Sequence, residues 1–322
     1  MKPDVLLVWP NMPRQMAMLE KSYALHRHDL AKDPEGLVRE IAPRITAIAT
    51  TGGKGLKRDL IEMLPNLKVV ASSGVGYDSI DIAACNEHGV VVTNTPDVLT
   101  DDVADTGIGL ILGTLRGMAR GDRWVRDGSW KRNGMMPLMT TISGKRLGIV
   151  GLGRIGKALA LRALPMGTTI SYFGRKQQSE VPYAYYNDLQ AMCRNIDILV
   201  LCCPGGEATR NLVNADVLKA LGPKGTVVNI ARGTVVDELA LIDALKSGGI
   251  AGAGLDVFAT EPNVNAALIA MDNVVLYPHH SSGTFETRDA MAQLVVDNLA
   301  AFFAGKPLLT PVNLEQAKKR KA

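Results

Sequence analysis

No stretch of this 322-residue chain approaches the roughly 18 consecutive apolar residues of a membrane helix. Its longest glycine- and leucine-rich run, "TGIGLILGTL", is bracketed by Asp105 and Arg116. The apolar run in "MKPDVLLVWPNMP" is too short for a signal peptide, and no small-residue cleavage site follows it. Cysteine is scarce: Cys85, Cys193, Cys202 and Cys203 are the 4 present, without C-x-x-C spacing. That argues against a zinc site, so no metal is expected, and against a disulfide framework. A reducing compartment, the cytoplasm, is the expected location, with no membrane partner. A large excess of one charge is also missing. The net charge is +4, and the closing "KKRKA" supplies much of it. Nucleic-acid binding would need a basic face interleaved with aromatics. The tail has none, so it reads as a frayed, solvated end, and no nucleic acid is expected as a partner.

What is present is an ordinary globular composition, 47% hydrophobic and 21% charged. At about 150 residues per domain the length gives two domains. The first part alternates short β-rich runs, "VLLVW", "ITAIAT", "LKVVAS" and "VVVTN", with helical patterns, the rhythm of a parallel sheet with crossover helices. Its first strand runs into "PNMP" and not into a glycine fingerprint. Asp101 to Arg120 then reads as one long helix, with Asp101, Asp102 and Asp105 in its first turns, favourable to the helix dipole. A second series, "RLGIVG", "TISYFG", "DILVLCC", "TVVNIA", "AGLDVF" and "VVLYPH", fits a doubly wound sheet. A last helix, "FETRDAMAQLVVDNLAAFFAG", has no strand of its own, so the chain is expected to return to the first domain. The predicted architecture is therefore two Rossmann-like or flavodoxin-like α/β domains with parallel sheets and an interdomain active-site cleft. Residues 1–98 and 285–322 form a discontinuous substrate-binding domain, and 99–284 the dinucleotide-binding domain.

"GLGRIG" carries the cofactor expectation. Gly151 permits the tight turn, Gly153 lets the backbone approach a pyrophosphate, and Gly156 lets the helix "KALALRAL" pack on its strand. Free N–H groups at the helix start then meet the negative charge. A glycine-rich turn alone can be a strand–helix connection with no ligand; the strand before it and the helix and strand after it argue for a dinucleotide. The acid that normally grips the adenosine ribose about 20 residues on is lacking. That place, in "SYFGRKQQ", reads Gly174, Arg175, Lys176. A 2′-hydroxyl wants a carboxylate acceptor, whereas a 2′-phosphate would be repelled by one. Gly174 makes room, Arg175 offers a planar fork and Lys176 a point charge. An exposed basic pair is ordinarily just solvated. At this position the expected cofactor is NADP, with NADPH preferred over NADH.

Three ionisable types follow the ends of later strands: Arg232 in "NIARGTVVDE", Glu261 in "GLDVFATEP", and His279 with His280 in "LYPHHSSG". Ligands of open α/β sheets bind outside the carboxyl ends of the strands. An arginine there can clamp a substrate carboxylate and polarise its carbonyl. A histidine can donate the proton that a carbonyl oxygen needs as hydride arrives, and a carboxylate beside it favours the protonated ring. Each has a plainer account: Arg232 paired with Asp237 or Glu238, Glu261 as a helix-start acid, His279 as a loop residue after Pro278.

"GLGRIG", "NIARGTVVDE", "AGAGLDVFATEP" and "PHHSSGT" together resemble the D-isomer-specific 2-hydroxyacid dehydrogenases, over nearly the whole chain. Within that family the chain is most similar to the NADPH-dependent glyoxylate/hydroxypyruvate reductases and the plant-type hydroxyphenylpyruvate reductases. The resemblance implies Arg232, Glu261 and His279 as catalytic residues, and Val75 and Gly76, in "ASSGVGYDSID", as amides holding the substrate carboxylate beside Arg232 and His279. A glycine-rich turn after a strand can form such an anion nest; it can equally be a plain turn capped by Asp78 or Ser79. The cofactor residues implied are Thr106, Gly151, Leu152, Gly153, Arg154, Ile155, Gly156, Gly174, Arg175, Lys176, Cys203, Pro204, Thr209, Ile230, Ala231, Arg232, Asp256, His279 and Ser281. Cys202 and Cys203 are read as small apolar wall residues. A homodimer joined through the dinucleotide domains is implied, with Trp130, in "RDGSWKRNG", resembling a position that reaches the partner's site. The implied reaction is reduction of glyoxylate and hydroxypyruvate, with aromatic 2-oxo acids as the alternative substrates. His280 departs from the family, where a small apolar residue or glycine often follows the histidine. A non-enzymatic NAD(P)H-sensing corepressor of this fold would not need the full Arg/Glu/His set. A zinc-dependent alcohol dehydrogenase is excluded by the missing ligand spacing.

Overall fold

The computed structural model describes residues 2–10 and 12–318. By internal contacts the chain divides into two units, Met1–Leu99 with Gly283–Ala322, and Thr100–Ser282. The expected solvated tail falls, Lys318 apart, outside the described residues.

The first unit is built on a 5-stranded sheet. Its strands are β1 (Asp4–Leu7), β2 (Ala24–Arg27), β3 (Ala47–Thr51), β4 (Val69–Ser73) and β5 (Val91–Thr93). They lie in the order β2-β1-β3-β4-β5, with every pair parallel. Side chains alternate across it. Leu6, Ile48, Val70 and Val92 pack on one face with Val38, Ile41 and Ala84. Val5, Leu7, Ala47, Ala49, Val69 and Ala71 pack on the other with Leu19, Val295 and Leu299. A period of two with both faces apolar is what a parallel sheet covered on both sides requires. Burying each large aliphatic side chain contributes on the order of 1.5–3 kcal/mol.

Short polar residues start the covering helices. Asp33 accepts from the Gly36 N–H to start Pro34–Ile41, and Thr284 accepts from the Thr287 N–H to start Phe285–Phe303. After the Val75–Gly76 turn the cap is Asp81, through the Ala84 N–H. Neither Asp78 nor Ser79 caps that helix; the Ser79 hydroxyl instead donates to the Gly52 carbonyl. The strand "ALHR" escapes the apolar pattern because it is an edge strand, half-buried at all its positions.

The second unit holds a 7-stranded sheet. Its strands are β6 (Arg146–Val150), β7 (Thr169–Phe173), β8 (Ala184–Tyr186), β9 (Ile198–Leu201), β10 (Thr226–Asn229), β11 (Gly252–Leu255) and β12 (Val274–Leu276). The order is β12-β11-β10-β9-β6-β7-β8, again parallel throughout. β8 was not foreseen: it is three residues of "AYY" at an edge, none of them buried. The long helix expected from Asp101 to Arg120 is interrupted. It runs from Thr100 to Leu115, and Gly117, at φ +58, starts a separate helix, Met118–Arg126. A left-handed glycine is a helix terminator, and here it breaks an otherwise continuous helical pattern.

Strand order reverses at one place in each sheet. It does so between β1 and β3 in the first unit and between β6 and β9 in the second. The crevice outside the carboxyl ends at such a point is where open α/β sheets take ligands.

Candidate active site

β6 ends at Val150, and the helix Arg154–Ala163 follows the glycine turn. Two of the three glycines are required by crowding within the protein. Gly151 has φ +89, and a Cβ there would lie 2.8 Å from the backbone N and Cα of Cys203. A Cβ on Gly156 would lie 2.5 Å from the Gly151 carbonyl oxygen. Gly153 is different: nothing lies within 4 Å of its Cβ position. Its missing side chain leaves open the approach to a helix N-terminus that no side chain caps. Such a cradle fits a pyrophosphate. Leu152, Arg154 and Ile155 complete this turn.

Gly174 directly follows β7, and it too has nothing within 4 Å of its Cβ position. Arg175 and Lys176 are exposed, and among the described residues neither takes part in an ion pair. Glu180, the nearby acid, is taken by Lys157 at 3.0 Å. The loop is pinned at three points. Tyr185 Oη donates to the Gly174 carbonyl at 3.1 Å, and the Gln178 N–H donates to Tyr172 Oη at 2.7 Å. Gln178 Nε2 donates to the Leu152 carbonyl at 2.8 Å, inside the glycine turn. Sequence reasoning assigned Gln178 no role; its only signal was its place in "GRKQQ".

The remaining cofactor candidates lie on turns after the next strands. Thr209 Oγ1 donates to the Pro204 carbonyl at 2.8 Å, closing the loop after β9. Burial raises the thiol pKa values of Cys202 and Cys203, the latter to about 11, so both stay neutral wall groups. Ile230 and Ala231 are buried at the end of β10. Thr106 Oγ1 donates to the Ser281 carbonyl at 3.4 Å.

Arg232 is set by its neighbours. Asn229, the last residue of β10, donates through Nδ2 to the Arg232 carbonyl at 2.9 Å and accepts from the Ala231 N–H at 3.0 Å. The Arg232 guanidinium donates to the Ala231 carbonyl at 2.7 Å. Gly233 must be glycine: a Cβ there would lie 1.8 Å from the Phe258 carbonyl oxygen. The arginine turn therefore lies directly on the segment that leads to Glu261. Asp237 caps the helix Glu238–Lys246, and Glu238 accepts from the Ala259 N–H at 3.0 Å.

Glu261 is not a helix-start acid; the next helix, Ala266–Ile269, is capped by Asn265. Glu261 Oε1 accepts from the Phe258 N–H at 3.0 Å, and Oε2 lies 2.6 Å from His279 Nδ1. Burial pushes the Glu261 carboxyl up. Its bonds to His279 and Phe258, and the charges of His279 and Arg232, more than offset that and hold it below the usual carboxylate range. His279 sits at φ +49, a conformation that a non-glycine residue adopts only when its surroundings impose it. The surroundings are supplied by Asp256. Its carbonyl accepts the His279 N–H at 2.7 Å. Its buried carboxylate accepts the His280 N–H at 2.8 Å and the Ser281 N–H at 3.3 Å, and also takes the Ser281 hydroxyl. Burial raises the Asp256 carboxyl despite those donors. The side chain of His280 turns to Tyr277, ring edge to ring, at 6.1 Å.

The second unit thus brings Glu261 and His279 into contact, with Arg232 close enough for its charge to act on Glu261. With Nδ1 held by a carboxylate, Nε2 is the ring nitrogen left to exchange a proton with a ligand. Given a hydride donor, a guanidinium, an imidazole and the carboxylate that orients it can serve the reduction of a carbonyl next to a carboxylate.

In the first unit, the Val75–Gly76 turn follows β4. Gly74, at φ +129, donates to Thr95 Oγ1 at 2.9 Å, and the Val75 carbonyl accepts from Asn94 Nδ2 at 2.9 Å. Among the described residues no acceptor takes the N–H groups of Val75 and Gly76.

A profile of the D-isomer specific 2-hydroxyacid dehydrogenase NAD binding domain matches residues 108–281. Over 308 residues the chain is 48% identical to a hydroxyphenylpyruvate reductase of Plectranthus scutellarioides, covering 96% of this chain and 98% of that one. It is also 48% identical over 308 residues, with the same coverage of 96% and 98%, to a glyoxylate/hydroxypyruvate reductase of Arabidopsis thaliana. Among solved structures, the NADPH-dependent glyoxylate/hydroxypyruvate reductase of Sinorhizobium meliloti, in complex with NADP and malonate, matches with a TM-score of 0.91. That match has 41% identity and covers 98% of both chains.

Proposed function

The chain belongs to the D-isomer specific 2-hydroxyacid dehydrogenase family, and from that membership we propose that it reduces glyoxylate and hydroxypyruvate to glycolate and D-glycerate with NADPH. The observation that carries the reading is the 2.6 Å contact of Glu261 with His279, beside Arg232. Bound NADPH supplies the hydride. His279 Nε2 gives the carbonyl oxygen its proton, Glu261 orients the ring through Nδ1, and Arg232 clamps the substrate carboxylate. The glycine turn holds the pyrophosphate, and Arg175 with Lys176 takes the 2′-phosphate. Thr106, Cys203, Pro204, Thr209, Ile230, Ala231, Asp256 and Ser281 line the cofactor's path. In the first unit, the unclaimed N–H groups of Val75 and Gly76 form that unit's own carboxylate-binding turn.

Aromatic 2-oxo acids are the second reading. It is favoured by the 48% identity to a hydroxyphenylpyruvate reductase and by the adaptable methionines of "RNGMMPLM". The protein is proposed to be a cytoplasmic homodimer, with Trp130 reaching the partner's site. Four free thiols support the compartment, and no described helix is long and apolar enough to cross a membrane. Exposed apolar side chains from Met118 to Met139 support the dimer.

NADPH oxidation at 340 nm tests the reading, with glyoxylate, hydroxypyruvate, phenylpyruvate and simple aldehydes offered in turn. Glyoxylate and hydroxypyruvate should give the highest kcat/KM. Aldehydes reduced as well as glyoxylate would sink the carboxylate clamp, and phenylpyruvate in first place would transfer the case to the aromatic reading.

A further inference from the structure

The crevice at the switch point of the first sheet holds one feature that the proposed chemistry does not use. Trp9 lies two residues past the end of β1, and Lys54 lies three past the end of β3, so they face each other where the strand order reverses. The Lys54 ammonium sits over the Trp9 ring, 4.1 Å from its centroid. Trp9 is 42% exposed and Lys54 is exposed. Among the described residues no carboxylate pairs with Lys54. A cation braced on an indole face is held in one place without being neutralised.

This cation is tied to the Val75–Gly76 turn. The Gly52 N–H donates to the Ser73 carbonyl at 2.8 Å, and the Leu56 N–H donates to the Ser79 carbonyl at 3.2 Å. A Cβ on Gly52 would lie 2.3 Å from the Gly76 carbonyl oxygen, so the two loops touch. β3 separates β1 from β4, which puts the Trp9 side of the crevice two strand spacings, roughly 10 Å, from the amide turn. About 5 Å of extended carbon chain, with a charge-assisted contact of about 2.8 Å at each end, closes that distance.

We propose that Lys54, held on the face of Trp9, is the subsite for a second carboxylate of the substrate, so that five-carbon 2-oxo dicarboxylates are taken as well as the short acids. This rests on the reading of the chain as a 2-oxo acid reductase and of Val75–Gly76 as its carboxylate turn. Lys54 is a substrate-binding residue in this assignment, and Trp9 is a positioning residue.

The test compares 2-oxoglutarate with 2-oxopentanoate, which has the same carbon chain without the distal charge. Their kcat/KM values with NADPH are measured beside glyoxylate. The wild type should favour 2-oxoglutarate by about tenfold, the size of a charge-assisted contact, and the preference should shrink as salt rises. Lys54→Met should erase the preference and Lys54→Arg should keep it. Trp9→Leu should raise the KM for 2-oxoglutarate with little change in kcat. Equal use of the two five-carbon acids by the wild type, or a preference that survives Lys54→Met, would overturn the assignment while glyoxylate reduction still upheld the enzyme. If glyoxylate and hydroxypyruvate are not reduced, the function fails instead. Calorimetric binding of 2-oxoglutarate against 2-oxopentanoate then decides Lys54: selective binding lost in Lys54→Met supports the subsite, and equal binding rejects it.

Discussion

Glu261 and His279 meet at 2.6 Å, Oε2 to Nδ1, while Glu261 Oε1 is held by the Phe258 N–H at 3.0 Å. One carboxylate thus serves a backbone group with one oxygen and an imidazole with the other, so the ring's orientation is fixed by the chain and not by solvent. The neighbouring His280 ring is turned toward Tyr277. His279→Ala should therefore lower kcat by roughly 10²–10⁴, with NADPH binding retained by fluorescence titration. His280→Ala should be much milder. The reverse order of severity would overturn the assignment of the proton donor.

The pH dependence follows from the same pair. Glu261 titrates below the usual carboxylate range, so it stays ionised wherever reduction is assayed. In Glu261→Gln the ring loses the carboxylate that fixes its orientation, so kcat should fall across the assayed pH range while NADPH binding is retained. Stability gives an independent reading. A carboxyl whose folded pKa is depressed contributes stability above its unfolded pKa, near 4, and that contribution is lost as pH falls through the folded value. The stability gap between wild type and Glu261→Gln should therefore be widest at neutral pH and close in acid. A gap of constant width in acid titration would count against the pairing.

Cofactor preference should reside in Gly174, Arg175 and Lys176. The wild type should prefer NADPH over NADH at least about tenfold in kcat/KM, the size of one charge-assisted phosphate contact. Arg175→Ala should reduce NADPH use and spare NADH use. Gly174→Asp has open space for its side chain, and it should lower NADPH efficiency while raising that of NADH. Equal use of both cofactors by the wild type would reject this assignment.

The segment from Met118 to Met139 should hold the proposed dimer together. Met135 is 81% exposed and Leu138 is 91% exposed, unusual for side chains with no polar group. The double substitution Met135→Asp, Leu138→Asp should give a monomer in sedimentation experiments. A monomeric wild type would rule out the dimer.

The sheets were legible wherever a strand carries a short, largely apolar run ended by turn residues, as β1, β3, β4, β6, β9 and β10 do. Two of the four edge strands, β2 and β8, were not. "ALHR" and "AYY" bury too little to impose a pattern, and only their hydrogen-bonding neighbours make them strands. The break at Gly117 was hidden by a helical pattern that continues on both sides of it. In the site, the residue types and their places after strands could be read from punctuation. The atom-level links could not: Asp256 to the 279–281 turn and Gly233 against Phe258 join segments distant in sequence, and the Asn229 bond to the Arg232 carbonyl is a side-chain orientation that residue type alone does not set.

The Gln178 side chain bonds the loop carrying Arg175 and Lys176 to the carbonyl of Leu152. The loop proposed to select the adenosine end and the turn proposed to grip the pyrophosphate are therefore tied to each other by one hydrogen bond. An engineer who grafts an NAD-type acidic loop here and discards Gln178 changes two things at once: the charge at the ribose and the tether of the glycine turn. Grafts that retain Gln178 should change the charge and keep the tether.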